Sequence, residues 1–107
     1  MQGESTGRPP LCPVERTMAV IGAKWTVLVL RDLMGGPKRF GQLLRSLHGV
    51  SPTTLTQRLR TLEREGVCLR QAYVEIPPRV EYRLTPKGEA LAAIIEAMRL
   101  WGDRFGG

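Results

Sequence analysis

The stretch from Ser51 to Gly66 constrains the fold of this chain more than any other. Ser51 offers a side-chain oxygen to the free amides that open a helix. Pro52 suits the first helical position, where a missing N–H costs nothing. Leu55, Leu59 and Leu62 then form one narrow apolar stripe at helical spacing, and Gly66 ends the run. Stepping about 100° per residue from that stripe brings Thr53, Gln57, Arg60, Thr61 and Arg64 to the opposite face, flanked by Thr54, Thr56 and Arg58. No carboxylate occurs before Glu63. A helix with so thin an apolar edge has to lie on other elements and turn a polar, basic face outward.

The neighbouring segments supply those elements. Pro13 opens a first helix in which Val14, Met18 and Ile21 recur at helical spacing until Gly22. The spacing predicts a second helix from Lys24 to Met34. Trp25, Leu28, Val29, Leu30 and Leu33 make it apolar around most of its surface, so it is expected at the centre of the core. After Gly35-Gly36-Pro37 and the link Lys38-Arg39, a third helix carries Phe40, Leu43, Leu44 and Leu47, and His48-Gly49-Val50 is a turn. Beyond Gly66 the period changes. Val67 to Val74 and Arg79 to Leu84 are rich in β-formers and flank Ile76-Pro77-Pro78, which reads as a hairpin with a stiff tip. Thr85-Pro86 repeats the cap-and-proline signal and opens a last helix to about Phe105. The expected fold class is mainly α with a small β-hairpin, the order of a winged helix-turn-helix.

A length of 107 residues fits one domain. Residues 1–11 are polar and rich in Gly and Pro and read as a disordered arm, leaving residues 12–107 for the domain. The core of so short a chain is modest, and dimerisation is a natural supplement.

Composition removes several function classes. Two cysteines are too few for a disulfide-stapled secreted fold, and one histidine excludes a zinc finger. No apolar run approaches the roughly 18 residues that span a bilayer. Met1 to Pro10 lack the apolar segment of a signal peptide, so a cytoplasmic protein with reduced thiols and no membrane partner is expected. Catalytic constellations are missing. His48 stands alone in a turn, Gly35-Gly36-Pro37-Lys38 lacks the spacing of a phosphate-binding loop, and Glu89 and Glu96 fit a solvated face. No enzyme activity, metal or cofactor is expected.

The net charge of +6 favours a polyanionic partner. Its placement narrows the choice. Lys38, Arg39, Arg45, Arg58, Arg60 and Arg64 face only Glu63 and Glu65 between residues 38 and 65, the part that a helix-turn-helix presses against double-stranded DNA. Arg can bond guanine, Gln adenine, and Thr can offer a hydroxyl or a methyl. Thr53, Thr54, Gln57 and Arg58 are therefore the candidate base readers. Lys38, Arg39, Ser51, Arg60, Arg64 and, beside the hairpin tip, Arg79 are candidate phosphate contacts. A winged-helix module that binds protein is the alternative, against which the carboxylate-poor helix argues. RNA would call for stacking aromatics, and only Tyr73 and Tyr82 are candidates.

The last helix carries a broad apolar strip, Ile94, Ile95, Met98, Trp101 and Phe105, with Val14, Met18 and Ile21 able to join it from the first. A domain of this size has little left for it to cover, so a second copy is the expected partner. A two-fold dimer would set its reading helices about 34 Å apart, as a palindromic operator requires.

Cys12-Pro13-Val14-Glu15, Gly22-Ala23-Lys24-Trp25-Thr26, Gly36-Pro37-Lys38-Arg39-Phe40, Gly49-Val50-Ser51-Pro52 and Leu55-Thr56-Gln57-Arg58-Leu59 follow one another in an order that resembles the HxlR family of bacterial regulators. Pro77-Pro78-Arg79-Val80-Glu81-Tyr82 and Leu84-Thr85-Pro86-Lys87-Gly88 complete the series, and the resemblance covers about residues 11–105. It implies a MarR-like winged helix, a homodimer built from the first and last helices, and a repressor or activator of nearby genes. One departure is Ala23, where the family usually repeats glycine; no functional change is expected from it. In some members a cysteine before the first helix, matching Cys12, senses oxidants or electrophiles.

The residues themselves leave Cys12 open. The positive end of the helix dipole favours a thiolate there, Arg16 supports it and Glu15 opposes it. It is either a sensor that forms a mixed or intersubunit disulfide or a small residue packed at the dimer seam. Cys68 reads as ordinary strand packing, and a bridge between the two within one subunit stays open. A small-molecule effector at the dimer seam is compatible with the sequence, but no polar cluster marks one.

Overall fold

The first helix begins where the cap-and-proline signal puts it. In this computed structural model, which describes residues 12–107, α1 spans Pro13–Ile21. The arm expected over residues 1–11 lies outside the described residues. The Glu15 amide donates to Cys12 Sγ at 3.4 Å, and the Glu15 carboxylate accepts from the Cys12 amide at 3.0 Å. This is a reciprocal cap with sulfur in the place of a hydroxyl.

Helix α2 (Thr26–Met34) starts later than Lys24 because Lys24 and Trp25 form a turn. Trp25 has a left-handed backbone, with φ 80, and its half-buried indole packs against the core. The burial of α2 is also one-sided. Thr26, Val29, Leu30 and Leu33 are buried, whereas Leu28 and Met34 are exposed.

Helices α3 (Phe40–Ser46) and α4 (Pro52–Arg64) follow. Ser51 Oγ accepts from the Thr54 amide at 3.1 Å, the cap that its residue type predicts. Leu55, Leu59 and Leu62 are fully buried and meet Leu43 and Leu47 of the α3 region, Leu30 and Leu33 of α2, and Val67. Each such side chain contributes about 1.5–3 kcal/mol by leaving water.

Strands β1 (Cys68–Tyr73) and β2 (Arg79–Leu84) pair antiparallel, with Cys68 opposite Leu84 and Tyr73 opposite Arg79. The link before α3 joins this wing. Lys38 and Tyr82 exchange amide-to-carbonyl bonds of 2.9 and 2.8 Å, so Lys38 acts as a one-residue third strand.

The single last helix expected from Thr85-Pro86 is broken into α5 (Pro86–Glu89) and α6 (Ala92–Phe105). Thr85 Oγ1 and Lys87 Nζ each donate to a carbonyl, of Gly66 and of Glu65 respectively, at 2.6 Å. Gly88 lies so near the Val67 carbonyl that a side chain there would collide with it. These ties hold α5 to the base of the wing. At Ala90 and Leu91 the backbone tightens, with the Leu91 amide donating to Gly88 and the Ile94 amide to Leu91. Helix α6 then runs against α2. Ile95 and Ile21 enter the core, which corrects their expected place on the dimer surface.

Candidate nucleic-acid interface

The outward face of α4 is set by its leucine stripe. Because Leu55, Leu59 and Leu62 face the core, Thr53, Gln57 and Arg60 are exposed, and their side chains have no hydrogen-bond partner among the described residues. An exposed amide between a hydroxyl and a guanidinium, free of competing contacts, suits a surface that has to bond to something else.

The other candidates on α4 are already engaged. Thr54 is half-buried, and its hydroxyl accepts from Ser51 Oγ at 3.0 Å. Thr56 and Thr61 donate back to the Pro52 and Gln57 carbonyls at 2.8 and 3.1 Å. Arg64 reaches Thr61 Oγ1 at 3.3 Å and is otherwise exposed. Arg58 is half-buried, and its Nε–H donates to the Lys24 carbonyl at 3.1 Å.

The start of α3 forms a basic hollow. Arg39, Gly41, Gln42 and Arg45 surround about 400 Å³, and the two arginines are exposed. Gln42 Oε1 accepts from the Arg39 amide at 2.8 Å, which fixes the start of the helix. The sequence counts Arg45 only as charge; one turn after Gly41, its guanidinium reaches over that glycine to close the hollow. Lys38 points back and donates to the Gly36 carbonyl at 3.3 Å.

The wing presents its arginines unequally. Arg79 stacks over Tyr73 with 4.0 Å to the ring centroid and pairs with Glu75 at 2.8 Å and Glu81 at 2.5 Å. The hydrogen bond from Arg79 holds the Glu75 carboxyl below its ordinary range. The charge of Arg79 is thus balanced within the wing. Arg70 and Arg83 are exposed without an ion pair among the described residues. Both stand outside the site residues that the sequence marks; Arg83 shares one face of the hairpin with exposed Leu69, and Arg70 shares the other with Tyr82.

The thiols differ sharply. Both are free; Cys12 is exposed and Cys68 is buried. Burial, then the charge of Glu63, pushes the Cys68 thiol up to about 12, which leaves it inert as a nucleophile. Among the described residues no cluster of His, Cys, Asp or Glu could hold a metal ion, and no helix is long and apolar enough to cross a membrane.

Away from the basic face, α1 and α6 leave apolar surface open. Val14 is 70% exposed, Met18 55%, Met98 48%, Trp101 63% and Phe105 60%, and Ile94 is partly open beside them. The rings of Trp101 and Phe105 pack against each other at 5.7 Å.

Comparison with known proteins agrees with this geometry. Residues 20–107 match a family described as HxlR-like helix-turn-helix. An HTH-type transcriptional regulator of Synechocystis sp., sll1512, is 47% identical over 93 residues, which are 87% of this chain and 69% of the relative. Among solved structures, the redox regulator HypR in its oxidized form has a TM-score of 0.84 at 40% identity, covering 87% of this chain and 96% of that one. The reduced form of the transcriptional regulator YodB from Bacillus subtilis has a TM-score of 0.78 at 37% identity, covering 90% and 95%.

Proposed function

This chain belongs to the HxlR-like helix-turn-helix family, and we propose that it is a DNA-binding transcriptional regulator that acts as a two-fold dimer on a palindromic operator, as a repressor of nearby genes. The observation that carries the reading is the outward face of α4, where Thr53, Gln57 and Arg60 are exposed and unpartnered and no carboxylate intervenes before Glu63. Thr53 and Gln57, with Thr54 behind them, offer the donors and acceptors that a major groove discriminates. Arg60, Arg64, Arg39 and Arg45 lie around them as phosphate contacts, with Ser51 at the helix start. Lys38 and Arg79 join only by leaving the Gly36 carbonyl and the Glu75–Glu81 pair.

The open strip of Val14, Met18, Ile94, Met98, Trp101 and Phe105 supports the dimer, since apolar patches of this kind mark association surfaces. Cys12 is exposed at the start of α1, the helix that carries Val14 and Met18 of that strip. Its position and the likeness to HypR support a response to oxidants or electrophiles through this thiol.

The test is selection of duplexes from a random-sequence pool, followed by mobility shift. A palindromic sequence bound with steep salt dependence is expected, and Gln57→Ala should lower discrimination at one base pair per half-site by about 1–3 kcal/mol. Failure to enrich any duplex would move the function to a winged-helix module that binds protein.

A further inference from the structure

One side-chain bond runs from the reading helix to the joint between α1 and α2. Arg58 donates its Nε–H to the carbonyl of Lys24 at 3.1 Å, across 34 residues of sequence. That carbonyl belongs to the peptide leading into Trp25, which at φ 80 is the one described residue other than glycine with a positive φ. Bulky L residues avoid this region, and one persists there only where its surroundings hold it.

The surroundings do hold it. The Trp25 carbonyl accepts from the Val29 amide at 2.9 Å and so starts α2. The indole packs on the core and faces Gly49, where an added Cβ would stand 3.7 Å from the ring. Gly49, itself left-handed at φ 96, lies in the turn between α3 and α4. Lys24 Nζ covers the indole at 5.4 Å from the ring centroid. The Lys24–Trp25 turn therefore meets the helix-turn-helix at two points, the indole at its turn and the Lys24 carbonyl on the flank of α4.

We propose that Arg58 is a positioning residue, which locks α4 onto the left-handed Lys24–Trp25 turn and sets the rotation at which Thr53 and Gln57 meet the bases. It reads no base itself. Arg58 follows Gln57 directly, so a restraint on one fixes the direction of the other around the helix axis. The proposal rests on the DNA-reading function above.

The experiment uses full-length protein labelled with 5-fluorotryptophan, whose two fluorine resonances are assigned with Trp101→Phe, and a duplex that the wild-type protein selects from a random pool. Arg58→Ala and Arg58→Lys should both displace the Trp25 resonance in the free protein. Both should weaken binding about tenfold, flatten preference at several base pairs together, and leave the slope of log affinity against log salt unchanged. Lysine keeps the charge but not the Nε donor, so a latch is not restored by it, whereas a phosphate contact would be. Gly49→Ala, which strains the left-handed turn that the indole faces and leaves Arg58 in place, should give the same signature even if an Arg58 variant fails to fold.

An unmoved Trp25 resonance overturns the proposal. So does loss of discrimination at a single base pair, or a salt slope lowered by about one with binding restored by Arg58→Lys. If the wild-type protein binds the selected duplex, any of these sinks the positioning role alone. If it selects no duplex, the DNA-reading function falls and the positioning role with it.

Discussion

Helices α4 and α6 are of nearly equal length, 13 and 14 residues, and both are amphipathic, yet the fold uses them in opposite ways. On α4 the apolar stripe is closed within the subunit, and what faces outward is polar, with the side chains of Thr53, Gln57 and Arg60 unpartnered among the described residues. On α6 only Ile95 is buried, and Met98, Leu100, Trp101 and Phe105 face outward. The first helix is finished as structure and open as chemistry. The second is unfinished as structure. One chain thus carries two surfaces that ask for different partners, a polyanion at one and an apolar surface at the other.

The largest effect that separates them is on folding. Leu59→Ala should lower the unfolding free energy by about 3 kcal/mol, through lost burial and a cavity that α3 and α2 cannot fill; urea denaturation reads it. If the loss is under about 1 kcal/mol, α4 is not closed in the way described. Trp101→Ala should leave the unfolding of a dilute subunit nearly unchanged. It should weaken self-association by about 2 kcal/mol, roughly 30-fold, as sedimentation over a concentration series would show. A variant that destabilises the dilute subunit as much as Leu59→Ala does would erase the contrast.

Smaller changes sharpen it. Ser51→Ala removes the cap of α4 and should cost about 1 kcal/mol of stability, with Ser51→Gly costing less; equal losses would point to a role other than capping. The two thiols repeat the contrast on a smaller scale. Cys12, at the start of α1, should react with a thiol reagent in the native protein, and Cys68, packed beside α4, only on unfolding. The pH dependence follows from the raised thiol of Cys68. Below about pH 9 both states keep the proton and the contribution to stability is complete. From there towards about 12 the unfolded chain releases its proton while the folded chain holds it, so stability falls as pH rises. Cys68→Ala should flatten that decline, and an unchanged slope would mean that the thiol is not shielded.

Much of this was legible in residues whose local chemistry allows one reading. Ser51-Pro52 and Thr85-Pro86 are cap-and-proline pairs, and both helices begin there. The leucine stripe assigned inside and outside on α4 correctly because nothing on the opposite face competes for burial. The sequence misled where tertiary contacts override local preference. Trp25 looks like a helical core residue, and no propensity places a tryptophan at φ 80; the turn exists because the core, Gly49 and Arg58 hold it. Ile21 and Ile95 share periodicity with the open strip, and only tertiary packing, which draws these two into the core, divides buried from exposed members. Among the site residues, the spacing exposed Gln57 and Arg60 but could not tell that Arg79 would be met by Glu75 across the hairpin tip and by Glu81 of its own strand.

The reciprocal bonds between Lys38 and Tyr82 have a consequence for the length of the binding site. They fasten the wing to the residue pair from which α3 departs, so wing and helix-turn-helix move as one piece. Each subunit is then a caliper with a fixed gap between its jaws. If wing and reading helix both meet DNA as proposed, an operator half-site lengthened or shortened by a single base pair should miss one of them, because the Lys38–Tyr82 pair holds the two together.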